Sequence, residues 1–188
     1  MAVLDCFLMP RAVKITGRTS TLTNAFVNGV VPCYPPTENE VLEALSVLGL
    51  DHADLRCAYC GDPFTEWDHL RPLIAGKRPT GFITEIANLV PACGKCNQSK
   101  SGSAWRKWML GPAKRSPATR GIPDLDERVR RLEAYESWRI PRVFDFEAAA
   151  GKDLWARHWN NWTRLVSLMG ECERTAEEIR TTFRRAVG

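Results

Sequence analysis

Cys57-Ala58-Tyr59-Cys60, then Trp67-Asp68-His69-Leu70, then Asn88-Leu89-Val90-Pro91-Ala92-Cys93-Gly94-Lys95-Cys96-Asn97 are the runs on which the fold turns. Each Cys-x-x-Cys pair lets two thiolates from one tight turn reach the same ion, and two pairs complete a tetrahedral set. Zinc in a closed structural site is the default for four thiolates, although a rubredoxin-like iron site uses the same spacing. Neither pair follows a βαβ pattern, which disfavours thioredoxin-like redox chemistry. Phe64 to Leu70 reads as a short strand carrying Asp68 and His69, and Asn88 to Pro91 as a second strand. A helix is expected from about Lys95 through Trp105 and Trp108 to Leu110. A strand–strand–helix unit of this size has little core of its own, and a bound metal offsets that deficit.

Outward from this centre, the 188-residue chain divides by composition. Residues 1–54 read as a strand and helix segment, 55–111 as the metal-bearing core, 112–123 as a basic linker and 124–188 as a helical subdomain. Within the first, residues 11–34 are rich in Thr, Val and Ile and read as strand and turn. Thr37 followed by Glu40 is a capping box that opens a helix ending near Gly49. The last is a candidate dimerisation or DNA-binding region, in which Asp124 can cap a helix burying Leu125, Val129, Leu132 and Tyr135. A second helix is expected over roughly Phe146 to Met169, with Trp155, Trp159 and Trp162 at helical spacing as core, and a third from about Glu173. The expected class is α+β.

The formal net charge is only +4, but it is unevenly spread. Between Leu70 and Arg120 stand ten basic residues against the single acid Glu85. Such an excess beside the metal motif points to a polyanion, with nucleic acid the natural candidate. Seven cysteines is an odd number, which argues against a disulfide framework. Cys6, Cys33 and Cys172, outside the paired motif, read as buried apolar side chains. No apolar run reaches the length of a membrane span. Met1 to Pro10 lacks the basic start of a signal peptide. A cytoplasmic protein with no membrane partner is expected.

The runs quoted above, with Arg71-Pro72-Leu73 and Gln98-Ser99-Lys100 in family order, resemble the HNH nucleases of the ββα-metal group. They are more similar to the HNH enzymes of restriction systems and phages than to colicin toxins, which lack paired zinc knuckles. The resemblance implies a zinc-stabilised ββα-metal core in which Cys57, Cys60, Cys93 and Cys96 hold structural zinc. It implies His69 as the general base and Asp68 with Asn97 as ligands of one catalytic divalent ion. Asn88 would order the loop and orient the base. Many members carry His where this chain has Asn97, which makes it an HNN variant. An amide oxygen is a hard donor, so Mg²⁺ or Mn²⁺ is expected rather than softer ions.

The implied function is metal-dependent hydrolysis of double-stranded DNA to 5′-phosphate and 3′-hydroxyl ends, of type II restriction character, by a homodimer. A phage or homing-type HNH nuclease is the alternative, and a zinc-stabilised DNA-binding module without catalysis is the non-enzyme alternative. Arg71, Lys77, Arg78, Lys95, Lys100, Arg106 and Lys107 are the candidate DNA contacts, expected on phosphates rather than bases.

Overall fold

The computed structural model describes Phe7 and residues 12–187. Apart from Phe7, the Met1–Pro10 segment lies outside these, and so does Cys6. The described chain forms two compact units: Val27–Ala149 is one, and the residues up to Phe26 with those from Ala150 onward are the other. The class is α+β.

In the larger unit the capping box behaves as its sequence requires. Thr37 Oγ1 accepts from the Glu40 N–H at 3.4 Å, and the Glu40 carboxylate accepts from the Thr37 N–H at 2.9 Å. Helix α2, Glu38–Leu48, starts there and stops at Gly49, where φ is 62°. The preceding helix, α1, is Thr19–Asn28. Strand β1, Glu66–His69, pairs antiparallel with β4, Leu89–Ala92, setting Asp68 opposite Val90 and His69 opposite Leu89. Between them lies a small hairpin, β2 (Ile74–Ala75) with β3 (Arg78–Pro79), within what the sequence presents as a polar loop. Helix α3, Gly94–Lys100, then packs on β1.

The long helix expected over 95–110 is in fact two. Ser101 adopts φ 48°, the Ser103 N–H closes a turn onto the Lys100 carbonyl, and α4 restarts at Trp105–Met109. Ser101-Gly102-Ser103 has poor helix propensity. The break turns Trp105 and Trp108 inward, where Trp108 meets the Tyr59 ring edge-on at 5.1 Å. Helix α5, Leu125–Trp138, buries Val129, Leu132 and Tyr135 as the sequence indicates, and it belongs to this unit, packing on α2. Asp124 precedes α5 without capping it through its side chain; its carboxylate instead pairs with Arg128 at 2.7 Å. One core joins α2, α4, α5, strand β4 and the four cysteines.

Three further readings are corrected across the two units. Residues 15–28 are not strand: Ile15–Arg18 is a 3-10 turn that runs into α1. The threonines satisfy themselves locally, Thr23 Oγ1 donating to the Thr19 carbonyl at 2.9 Å, and the helix is fixed by tertiary packing that overrides their propensity. Thr23 in turn accepts from the Trp162 indole at 3.2 Å, and Phe26 packs on Trp159. The two expected C-terminal helices are divided differently. Helix α6, Phe146–Ala150, is short, and Gly151 at φ 82° ends it. Helix α7 then runs unbroken from Lys152 to Val187, carrying Gly170 within it at a cost of about 1 kcal/mol. Cys33 and Cys172 are exposed, not buried. Among the described residues no helix is long and apolar enough to cross a membrane.

The Tyr135 hydroxyl sits between the main-chain carbonyls of Ile86 and Leu89, the latter at 2.7 Å, and so ties α5 to the turn that enters β4. Tyr135→Phe should lower stability by about 1–2 kcal/mol in urea unfolding, without changing the far-ultraviolet spectrum of the native protein.

Candidate metal and catalytic site

Two backbone devices place the thiols. In the first knuckle the Cys57 N–H donates to the Asp62 carbonyl and the Gly61 N–H to the Cys57 carbonyl, both at 2.8 Å. That turn closes only because Gly61 takes φ 78°, a region costly to a side chain. In the second, Cys93 is the N-cap of α3, so Cys96 falls in its first turn. All four Sγ atoms are buried and lie within 4.8 Å of one another. Cys60 and Cys93 are 3.7 Å apart, close to the edge of about 3.8 Å for a tetrahedron with Zn–S bonds of about 2.3 Å. Contact with Cys60 pushes the Cys57 thiol up to about 12, contact with Cys57 and Cys60 pushes Cys96 higher still, and contact with Cys57 pulls Cys60 down. Four sulfur atoms this close hold negative charge only with a cation between them, so the residues fit structural zinc. Arg120 braces the cluster, donating to Cys96 Sγ at 3.4 Å and to the Asp62 carboxylate at 2.8 Å.

Because Cys96 is fixed, the rest of α3 is fixed with it. Asn97 and Lys100, one turn apart, face the side of β1 that carries Glu66 and Asp68, two residues apart on one strand face. Asn97 Nδ2 donates to Glu66 Oε2 at 2.8 Å. A carboxylate can only accept, so the amide must present its nitrogen there, and Oδ1 is the end it has left to offer. Asp68 is 5% exposed and its Oδ2 accepts from the Tyr59 hydroxyl at 2.5 Å. Lys100 Nζ lies 3.0 Å and 3.3 Å from the two Asp68 oxygens and donates to the His69 carbonyl at 2.7 Å. Burial pushes the Asp68 carboxyl above and the Lys100 ammonium below their ordinary values, and their mutual contact opposes both shifts.

His69 follows Asp68 on β1. Its Nε2 is 2.9 Å from Thr84 Oγ1, and burial, helped by the Lys100 charge, lowers its pKa to about 4. Asn88, wholly buried, pairs with the main chain just beyond His69: Oδ1 accepts from the Arg71 N–H at 2.8 Å and Nδ2 donates to the Arg71 carbonyl at 3.1 Å.

The candidate DNA contacts divide. Lys100 is not a surface cation: it is 0% exposed and neutralises Asp68. Arg71 also turns inward, to Glu136 at 3.2 Å and over the Phe82 ring. Lys77, Arg78, Lys95, Arg106 and Lys107 are exposed, with Lys95 3.5 Å from Asp62 and Arg106 paired with Glu133. The sequence reading missed Glu66, Thr84, Tyr59 and Arg120. Glu66 was legible from strand alternation with Asp68, and buried Lys100 from its i,i+4 relation to Cys96. Thr84 and Arg120 reach the site from distant segments and leave no local signal.

The family model of the HNH endonuclease matches residues 57–103, the stretch from the first knuckle to the turn after α3. Residues 57–103 form an HNH endonuclease domain. A 57-residue stretch is 42% identical to the CRISPR-associated endonuclease Cas9 of Corynebacterium diphtheriae. That match takes in 28% of this chain and 5% of the relative, so the two share only this HNH segment in the alignment. No solved structure matches the chain.

Within the HNH domain the Asp68–Lys100 pair is a buried charge pair, and removing one partner leaves the other uncompensated. Lys100→Met should destabilise the zinc-loaded protein by about 3–5 kcal/mol in urea unfolding. Adding Asp68→Asn should recover part of that loss.

Proposed function

We propose that the protein is a metal-dependent endonuclease that cuts double-stranded DNA, leaving 5′-phosphate and 3′-hydroxyl ends. The observation that carries the reading is the placement of His69 on one edge strand of an HNH domain: half-buried, neutral at physiological pH and held at Nε2 by Thr84. With Nε2 bonded to the threonine oxygen, Nδ1 is the nitrogen that takes a proton from the attacking water. Asn88 fixes the segment after the base by bridging both main-chain groups of Arg71.

Asp68 and Asn97 are the residues that would hold the catalytic ion. The donors available between β1 and α3, the Asp68 and Glu66 carboxylates and the Asn97 amide oxygen, are all hard oxygens, which suits Mg²⁺ or Mn²⁺. When bound, such an ion neutralises charge on the scissile phosphate and on the leaving oxygen. Lys100 already places one positive charge on Asp68. Exposed Lys77, Arg78 and Lys107 supply phosphate contacts. Restriction-type cutting at a symmetric site requires one active site for each strand and so two copies of the chain.

Supercoiled plasmid incubated with the protein and Mg²⁺ or Mn²⁺ tests the reading. Nicked and linear products are expected with either ion and none in EDTA. Discrete bands mark restriction-type specificity, a smear marks nonspecific cutting, and no metal-dependent product overturns the nuclease. His69→Ala should lower the cutting rate by about 10²–10⁴-fold with DNA retention unchanged in a gel-shift assay. The base works as the neutral imidazole, and its pKa of about 4 lies below the ordinary 6.5. The acid limb of kcat/KM should therefore fall below pH 6.5, activity being full above it and lost as pH drops toward the lowered value.

A further inference from the structure

Helix α7 buries Trp159 and Trp162 against α1, yet it carries a second apolar stripe beside that face. Leu154, Leu165, Leu168, Ile179 and Phe183 are 42–64% exposed, and Cys172 between them is exposed too. Their spacing is that of a heptad seam, with His158, Leu165, Cys172 and Ile179 at a positions and Leu154, Asn161, Leu168 and Thr175 at d positions; His158 also contacts Phe26. The residues flanking the seam on one side, the g positions, are Arg157, Arg164, Glu171 and Glu178. The e positions on the other side are Trp162, Met169, Ala176 and Phe183, without a charge. Among the described residues no side chain forms an ion pair with any of the four g side chains.

This charge order decides the occupant and its direction. A parallel pair brings g against e, which here offers no charged partner, and stacks Asn161 on Asn161 and Cys172 on Cys172. An antiparallel pair brings g against g. Laying Leu165 on the partner's Leu168 places Leu154 on the partner's Ile179, with two polar layers between, Asn161 beside the partner's Cys172 and His158 beside the partner's Thr175. In that same register Arg164 meets the partner's Glu171, and Arg157 meets the partner's Glu178. The apolar layers and the opposite charges agree at one register, and the operation that relates the two helices is a two-fold axis, the symmetry of a closed dimer. We propose that α7 is a self-association helix, and that two copies of this chain dimerise through an antiparallel coiled coil centred between Leu165 and Leu168. The inference goes beyond the nuclease reading and stands whether or not the protein cuts DNA.

Sedimentation equilibrium of the full zinc-loaded chain tests it, with a mass twice the 21.2 kDa of one chain expected. Leu165→Asp with Leu168→Asp should give a monomer of unchanged helicity, because both positions are exposed. Arg164→Glu should weaken the dimer by about ten-fold or more by setting like charges face to face, and adding Glu171→Arg should restore it. In a Cys6→Ser, Cys33→Ser background, Asn161→Cys should form a disulfide-linked dimer with Cys172 on mild oxidation, while Cys172 alone should not. A parent chain that sediments at 21.2 kDa throughout overturns the proposal. So does a parent that cross-links through Cys172 alone, or a charge-swapped double variant no tighter than the single ones.

Discussion

Four thiolates drawn to one point are the constraint on which the larger unit depends. The first knuckle precedes β1 and the second opens α3, so closing them around one cation fixes the strand against the helix. Everything catalytic follows from that join. The β1 face with Glu66 and Asp68 meets the α3 face with Asn97 and Lys100, and each pair is hydrogen-bonded in the structure. The strand pair itself is four residues long, too little to hold such a register by backbone bonds alone. Structural zinc in small domains contributes roughly 10–16 kcal/mol of folding free energy.

A second, weaker constraint operates inside the first. Lys100 buries an ammonium against Asp68 and the His69 carbonyl, so one side chain fixes the Asp68 carboxylate and the strand position of His69 together. Buried pairs of this kind add little net stability but penalise any arrangement that separates the partners. The Tyr59 hydroxyl completes the Asp68 shell from within the first knuckle, which joins the metal cluster to the catalytic strand by a single hydrogen bond. The cysteine cluster and the Asp68–Lys100 pair are therefore parts of one bonded network, and a substitution in either is felt in the other.

The sequence made the centre of the fold legible and its periphery less so. Cysteine spacing, the Thr37–Glu40 box and the strand positions of Asp68 and His69 are local signals, read by local rules. The Thr-rich segment over 15–28 was misread because tryptophans more than a hundred residues away decide its conformation. The helix break at Ser101 left no such signal, because Trp105 and Trp108, both beyond it, continue a helical period. The basic run was correctly seen as excess charge, but charge in a sequence does not say which side chains face water. Arg71, Lys100 and Arg120 serve the interior.

Zinc content measured alongside far-ultraviolet circular dichroism, as a chelator removes the metal, tests the central claim most directly. One zinc per chain is expected, with loss of the HNH domain's ordered signal in step with zinc release and recovery on adding zinc back. A chain that binds no zinc, or that keeps its full spectrum and cooperative unfolding after the metal has gone, would contradict it.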